Sequence, residues 1–299
     1  MSRSAVLVNP ALVPDQAVLR QAILQALDRA GWPEPTWLST TPEDSGESLV
    51  RAALAEGAEV IFACGGDGTV MAAAAALAGG VGVLAVLPMG TGNLLARNLG
   101  LPRGVPAGVG VAVAGARRVI DLGEAEGRIF TVAAGIGLDA RVLAETSHRV
   151  KRLLGWPAYV LAGLRHLGGP SFSVTIRLDQ AAPISRQVRS VMVANVGRFP
   201  GGLDLLPGAL PDDGLLEVVL INPRRLLDWV ALIRSMAGRH PRGGRVETFS
   251  AAAVEVVAEP PQPREADGEP LGEGVRMSVR VRPRALVVCV PEVAMAAGR

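Results

Sequence analysis

A glycine-rich loop containing one acid follows a strand-like segment in the first quarter of the chain. Residues 58–66 read AEVIFACGG, an apolar run rich in β-forming residues, and the loop continues as GGDGT. Glycines at the end of a parallel strand let backbone N–H groups approach an anion, and a following helix N-terminus adds partial positive charge. This pattern predicts a phosphate-binding loop made of Gly65, Gly66, Asp67, Gly68 and Thr69.

Asp67 is the unexpected residue in this loop, because a carboxylate repels phosphate. We expect a cation, a sugar hydroxyl or the reacting proton to stand between Asp67 and the phosphates. The chain has neither the GxxxxGK[ST] pattern of P-loop proteins nor the GxGxxG pattern of dinucleotide-binding folds. Those two nucleotide-binding classes therefore have no motif support.

A second loop of similar composition lies about twenty residues further on. Residues 87–100 read LPMGTGNLLARNLG, which follows the apolar segment VLAVLP and opens another helix. Its small and polar residues are Gly90, Thr91, Gly92 and Asn93. Because open α/β sheets bind ligands at the carboxyl ends of their strands, the two loops together predict a nucleotide site.

The elements around these loops alternate between strands and helices over residues 1–125. The predicted helices are 15–30, 45–56 and 69–78, the last with Thr69 as its N-cap, and strands precede and follow them. Such alternation is typical of a parallel sheet covered by helices.

From about Ile129 the pattern changes to strand-like runs separated by turns. Helical stretches at about 150–167 and 224–238 interrupt these runs. The sequence therefore predicts a second, mostly antiparallel β domain at 126–285. Periodicity does not assign residues 286–299, which could complete either domain.

Composition supports two domains and excludes some partners. With 299 residues, 49% of them hydrophobic and 19% charged, the chain is long enough for two cores. Thirty basic against twenty-eight acidic residues give a net charge of +2, which does not indicate nucleic-acid binding. Cys64 and Cys289 sit in apolar strands and predict no disulfide, so we expect a reduced, cytoplasmic protein.

The 18 residues from Val70 to Leu87 carry no charge. That length meets the threshold for a transmembrane helix. Because Gly79, Gly80 and Gly82 interrupt it and its first half is mainly alanine, we interpret it as helix, turn and strand.

These motifs resemble the lipid kinase family of diacylglycerol and sphingosine kinases. GGDGT followed by P-x-GTGN-x-x-AR is similar to the catalytic domain of that family. Three later segments are similar to its later blocks and occur in the same order: residues 117–140, 210–221 and 265–273. The resemblance implies an N-terminal three-layer α/β nucleotide-binding domain like that of NAD kinases and phosphofructokinases, and a C-terminal antiparallel β-sandwich.

The resemblance also implies roles for individual residues. ATP would be held by Thr41, Gly65, Gly66, Asp67, Gly68, Thr69, Gly90, Thr91, Gly92 and Asn93. Asp121 would share an aspartate, water and Mg²⁺ network with Asp67. A second metal site would consist of Asp213 with the backbone carbonyls of Leu210 and Leu215. Glu269 would be the general base and Asp267 would support it.

The implied activity is transfer of the γ-phosphate of ATP to the hydroxyl of a membrane lipid in a cleft between the domains. A lipid hydroxyl is a poor nucleophile, so a carboxylate must accept its proton while Mg²⁺ neutralises charge on the phosphoryl oxygens. The chain departs from the family at Leu94, where many members have aspartate. Two alternatives stay open: a kinase for a soluble acceptor such as NAD, and a non-catalytic, nucleotide-regulated lipid-binding protein.

The segment 147–169 combines basic residues with leucines and two aromatic residues. This composition is typical of an element at an anionic bilayer surface, and also of an ordinary helix with solvated arginines. We therefore expect a cytoplasmic enzyme whose lipid substrate lies at the inner face of the membrane.

Overall fold

The computed structural model describes residues 2–13, 15–137, 171–199, 203–222 and 246–292. The predicted helical stretches at 150–167 and 224–238 lie outside these residues, as does the basic segment 147–169. Contacts divide the chain into two compact units. Unit 1 comprises Met1–Asp121 and Arg284–Arg299, and unit 2 comprises Leu122–Pro283.

Unit 1 contains a parallel sheet. Its strands are β1 (Ser4–Val8), β2 (Thr36–Ser39), β3 (Val60–Gly65), β4 (Val83–Pro88) and the end of the long strand β16 (Glu269–Val290). The order is β16, β4, β3, β1, β2, with parallel pairing throughout. Every residue of β1 and β3 is buried, as expected for strands covered on both faces.

Five helices accompany this sheet. They are α1 (Gln16–Arg29), α2 (Glu47–Ala55), α3 (Asp67–Leu77), α4 (Leu94–Asn98) and α5 (Val105–Ala114). The side chain of Asp15 caps α1 by accepting from the N–H of Val18. Helices α1 and α5 pack together on one set of alternating strand residues, which includes Val6, Phe62 and Leu87. Helices α2 and α3 also pack together, and α3 contacts β3 and β4.

Helix α3 begins at Asp67, two residues before the predicted start at Thr69. Its N-cap is Gly66, which as a glycine makes no side-chain cap hydrogen bond. The prediction of Thr69 as N-cap is therefore wrong. Thr69 is instead buried in the first turn, where its side chain packs against Gly65: a Cβ at Gly65 would lie 2.2 Å from Thr69 Oγ1. The absence of a Cβ at Gly65 lets the helix start directly at the strand end.

The long uncharged run forms α3, a glycine turn and β4, as predicted. Among the residues that the structure describes, no helix is long and apolar enough to cross a membrane.

Unit 2 consists of antiparallel strands. They are the end of β5 (Ala116–Ala125), β6 (Arg128–Phe130), β7 (Ala133–Gly137), β8 (Phe172–Leu178), β9 (Ile184–Val188), β10 (Ser190–Ala194), β11 (Arg198–Phe199), β12 (Leu203–Asp204), β13 (Leu216–Ile221), β14 (Val246–Ala251), β15 (Ala253–Ala266) and the first part of β16. The main order is β14, β13, β10, β7, β15, β16, and β8 pairs with both β15 and β9. Alternate residues of β8 are buried, namely Phe172, Val174 and Ile176, which packs one face of the sheet into the core.

A tight hairpin joins β15 to β16. Ala266 pairs with Glu269, and the two residues between them, Asp267 and Gly268, have φ angles of 47° and 84°. Positive φ at both central residues is what a two-residue hairpin turn of type I′ requires, and Asp-Gly is a preferred pair for it. The turn fixes the positions of the acids in the segment EADGE.

Candidate functional site

Three loops follow the carboxyl ends of β1, β3 and β4 in unit 1. The backbone N–H of Asn9 donates to the carbonyl of Cys64 (3.1 Å), and that of Met89 donates to Gly65 (2.9 Å). A Cβ at Gly90 would lie 2.7 Å from Gly66 Cα, so the two glycine loops are in direct contact. The structure thus brings together the two loops predicted to bind nucleotide. Asn9 was not predicted as a neighbour; its only signal was its place directly after an apolar strand.

The N-terminus of α3 opens between these loops. Its N-cap Gly66 is extended (φ −92°, ψ −169°) and offers no side-chain acceptor to the first-turn N–H groups. The first N–H groups of any helix lack intrahelical partners and, together with the helix dipole, attract anions. Three residues of this turn, Asp67, Gly68 and Thr69, were predicted to hold phosphate. The backbone geometry is suited to that role.

Asp67 connects the two loops. Its Oδ2 accepts from the N–H of Asn93 (2.9 Å) and its Oδ1 from that of Leu94 (2.6 Å). Burial raises the pKa of the Asp67 carboxyl, while these hydrogen bonds and the charge of Arg97 act in the opposite direction. Backbone donors of the second loop therefore bind Asp67. The cation, sugar hydroxyl or reacting proton expected between Asp67 and the phosphates stays a prediction.

Asn93 closes the second loop on itself. Its Oδ1 accepts from the N–H of Gly90 (3.0 Å), and its Nδ2 donates to the carbonyl of the same residue (2.6 Å). The residue has a left-handed backbone (φ 49°), which asparagine tolerates better than most residues. Its side chain therefore shapes the loop, while Thr91 at the tip of the loop stays exposed.

Thr41 follows the end of β2 and is also exposed. Its Oγ1 accepts from the N–H groups of Glu43 (3.3 Å) and Asp44 (3.1 Å), which forms a side-chain turn. The following Gly46 has a φ of 104°, and a Cβ there would meet the side chain of Leu7. This geometry fixes the loop, and Thr41 remains a predicted ATP contact.

Asp121 is almost completely buried, and its Oδ1 accepts from the N–H of Arg284 (2.6 Å). This bond joins β5 to the part of β16 that belongs to unit 1. Among the described residues, no group of three or more His, Cys, Asp or Glu side chains is arranged to hold a metal ion. The predicted network of Asp67, Asp121, water and Mg²⁺ stays a prediction.

In unit 2, Asp267 holds the segment before β7. Its carboxylate accepts four hydrogen bonds: from the N–H and Oγ1 of Thr131 (2.7 and 2.8 Å), from Val132 N (2.9 Å) and from Ala133 N (3.0 Å). Burial raises the pKa of this carboxyl, and the four donors act in the opposite direction. Thr131 was not singled out by sequence reasoning, because it is distant in sequence and belongs to an apolar run.

Glu269 differs from Asp267 in its exposure and in its hydrogen bonding. It is exposed at the start of β16, and its carboxylate makes no hydrogen bond or ion pair with any residue that the structure describes. Glu265, on the other side of the turn, is buried, and its Oε2 accepts from the N–H of Gly268 (2.7 Å). Of the three acids around this turn, Glu269 is thus the one whose oxygens are accessible.

The predicted metal residues of unit 2 lie in the loop before β13. Asp213 Oδ1 accepts from the N–H of Leu215 (3.0 Å), which forms a local turn. Leu210 and Leu215 are unusually exposed for leucines, at 46% and 39%. An exposed loop with two adjacent carboxylates, Asp212 and Asp213, and several carbonyls offers the oxygen ligands that Mg²⁺ prefers.

Comparisons with known proteins cover nearly the whole chain. Residues 3–125 match the family model described as the diacylglycerol kinase catalytic domain, and residues 131–290 match the YegS C-terminal NAD kinase beta sandwich-like domain. A relative from Pseudomonas fluorescens, named "Probable lipid kinase YegS-like", is 34% identical over 279 residues, which is 91% of this chain and 90% of that protein.

Solved structures support the same fold. A diacylglycerol kinase from Bacillus anthracis superposes with a TM-score of 0.73 at 19% identity and covers 98% of both chains. An NAD kinase from Archaeoglobus fulgidus in complex with ATP gives a TM-score of 0.55 at 14% identity, with 98% of this chain and 96% of that chain covered. The predicted fold class, a three-layer α/β domain followed by an antiparallel β-sandwich, is confirmed.

Proposed function

The chain belongs to the diacylglycerol kinase family, as its ordered motifs predicted, and on that premise we propose that it transfers the γ-phosphate of ATP to the hydroxyl group of a membrane lipid. The acceptor would be diacylglycerol or a related long-chain alcohol. Relatives named lipid kinase or diacylglycerol kinase support this class of reaction.

One structural observation supports the proposed ATP site. The N-terminus of α3 has no side-chain cap, and it opens beside a second glycine loop whose Gly90 touches Gly66. A Cβ at Gly90 would meet Gly66 Cα, so the close approach of the two loops requires a glycine there. We propose that the ATP phosphates bind here, with Gly65–Thr69 and Gly90–Asn93 around them and Thr41 as a further contact.

Glu269 is the proposed general base. The oxygen of the lipid hydroxyl attacks the γ-phosphorus and forms the new P–O bond, the bond to the β,γ-bridging oxygen breaks, and ADP leaves. The hydroxyl proton passes to the Glu269 carboxylate, whose oxygens have no competing partner among the described residues. Asp267, already bound by four donors, would position the turn that carries Glu269.

Mg²⁺ is the proposed metal cofactor, and oxygen donors are available for it. Asp67 and Asp121 would belong to one site in unit 1, through an aspartate and water network, and Asp213 with the carbonyls of Leu210 and Leu215 would form a second, separate metal site in unit 2. Within the described ranges, the one hydrogen bond of the Asp213 carboxylate uses Oδ1, which leaves Oδ2 as a ligand. When bound, the ion would neutralise charge on the phosphoryl oxygens.

The proposed place of action is the cytoplasmic face of the membrane, where both ATP and the lipid are present. The basic segment 147–169 supports this on composition alone, since it lies outside the described residues.

The test is incubation of the purified protein with γ-labelled ATP, Mg²⁺ and a total lipid extract, followed by identification of the labelled product. We expect one labelled phospholipid. A parallel reaction offers NAD without lipid, and label in NADP would establish the soluble-acceptor alternative instead. ATP binding without transfer to either acceptor would favour the non-catalytic alternative and overturn the proposal.

A further inference from the structure

Arg97 belongs to the GTGN-x-x-AR motif but has no role in the reaction described so far. It lies on α4, and its Nη2 donates to the carbonyl oxygen of Thr91 (3.1 Å). Its Nε is buried and has no hydrogen-bond partner among the residues that the structure describes. Burying part of a guanidinium with an unused donor has a free-energy cost, so this placement calls for a compensating role.

The hydrogen bond to Thr91 determines the direction of the next N–H group. The carbonyl of Thr91 and the N–H of Gly92 belong to one planar peptide unit, and the described chain has its cis bond elsewhere, at Glu259–Pro260. In a trans peptide these two groups point in opposite directions. When Arg97 holds the carbonyl, the N–H of Gly92 is therefore turned away from the guanidinium.

The backbone N–H of Gly92 is available as a hydrogen-bond donor. The group has no acceptor among the described residues. A Cβ at Gly92 would lie 2.4 Å from Asp67 Oδ2, so Gly92 lies directly against the Asp67 carboxylate. The N–H of Gly92 is thus an unused donor beside the uncapped N-terminus of α3.

The positive charge of Arg97 would favour phosphate binding independently of its hydrogen bond to Thr91. Polyphosphate is strongly anionic, and the nearest acid on the loops, Asp67, opposes its binding. Arg97 acts electrostatically on Asp67, against the effect of burial. A cation fixed on the second loop reduces the repulsion between Asp67 and a phosphate without occupying the phosphate position.

We propose that Arg97 is a positioning residue of the nucleotide site, which holds the Thr91–Gly92 peptide so that the N–H of Gly92 faces a phosphate oxygen of ATP and whose charge offsets that of Asp67. It acts through these residues and does not touch the nucleotide. The inference rests on the proposed function, because it requires that ATP binds at this loop.

The experiment measures nucleotide binding in the absence of any lipid. ATP, ADP and adenosine are titrated calorimetrically into the wild type, Arg97→Met, Arg97→Lys and Arg103→Gln. Arg103 is an exposed arginine close in sequence and serves as the control for loss of one positive charge. The thermal midpoint of each variant reports on folding.

We expect Arg97→Met to weaken ATP and ADP binding by about tenfold, which equals about 1.4 kcal/mol, and to leave adenosine binding within twofold. Arg97→Lys should recover most of the loss, because an ammonium keeps the charge and can donate to the Thr91 carbonyl. Arg103→Gln should bind all three ligands like the wild type.

Two results would overturn the inference: ATP affinity unchanged in Arg97→Met, or equal losses for ATP and adenosine, which would indicate general damage to the loop. If Arg97→Met does not fold, Arg97→Gln, which keeps a donor without the charge, is measured against the same expectation for ATP and adenosine. A wild-type protein that binds no nucleotide would instead overturn the proposed function.

Discussion

The Oδ1 of Asp67 lies 2.6 Å from the backbone nitrogen of Leu94, although the two residues are 27 positions apart in the chain. The Asp67 carboxylate thereby joins the first turn of α3 to the loop that follows β4. The family often has an aspartate where this chain has Leu94, yet this contact uses only the backbone of that residue. The connection between the loops is therefore independent of the side chain at position 94.

This contact predicts the effect of Asp67→Asn. An asparagine offers one acceptor in place of two, and its amide N–H₂ would face a backbone N–H. We expect turnover to fall by on the order of 10²-fold, with a lower thermal midpoint, in assays of lipid phosphorylation and unfolding of the same preparation. Wild-type turnover at saturating Mg²⁺ would show that Asp67 has no part in the reaction.

Gly92→Ala tests the same contact from the other loop. The new methyl group would lie 2.4 Å from Asp67 Oδ2, so either the Asp67 carboxylate or the second loop must shift and the hydrogen bonds between them weaken. We expect ATP affinity to fall by about tenfold or more, measured by titration. The matched control is Gly110→Ala in α5, where a Cβ meets nothing within 4 Å and should stabilise the helix by about 0.5–1 kcal/mol.

Glu269→Gln tests the proposed base. The substitution removes the proton acceptor and keeps the shape of the side chain, so turnover should fall by about 10²-fold or more while ATP affinity changes less than about threefold. Glu273→Gln, on the same exposed part of β16, is the control and should leave both unchanged. Turnover that survives within about threefold would assign the base to another residue, and a collapse of ATP binding would show that the segment is structural.

Asp267→Asn should act mainly on stability. It removes the charged acceptor of four hydrogen bonds and leaves at least one donor of residues 131–133 without a partner. We expect a loss on the order of 2 kcal/mol in the unfolding free energy of unit 2, measured by denaturant titration. Thr131→Val removes one of the four donors and should cost about 1 kcal/mol. Equal stability of Asp267→Asn and wild type would contradict this role.

The pH dependence of stability should reflect Glu124. This buried carboxylate accepts from Arg280 and Arg282. Burial raises the pKa of Glu124, but the two arginines outweigh that effect and hold the pKa below its ordinary value. A lowered pKa in the folded state gives stability above the ordinary value of 4.5, and this stability disappears as pH falls through the folded pKa.

Glu124→Gln should therefore destabilise the protein by about 1–2 kcal/mol at pH 7, since both arginines are about half exposed and solvent weakens their contribution. The difference from wild type should shrink below about pH 4.5. Glu255→Gln removes an exposed pair with Arg177 at 3.9 Å and should change stability by less than about 0.5 kcal/mol at any pH. A pH-independent difference for Glu124→Gln would contradict the ionic origin.

The sequence by itself determined the order and type of the elements around the nucleotide loops. The apolar runs of β3 and β4 and the glycines after them are local signals, because strand burial and glycine turns depend on residues adjacent in the chain. The Asp-Gly turn between β15 and β16 is local in the same way. Five motif blocks in one order were sufficient to predict the family.

Only the tertiary structure decided what the acids do. Asp67 accepts from residues 26 and 27 positions away, and Asp267 from residues 134 to 136 positions away. Asp267 and Glu269 look equivalent in the segment EADGE. Four hydrogen-bond donors bind the carboxylate of Asp267, whereas the carboxylate of Glu269 is exposed. Helix α3 starts before Thr69, and the Thr69 side chain packs on Gly65. Helix propensities do not include such a contact. Hydrogen bonds between distant segments depend on how the strands align in space, and that information is spread over the whole chain.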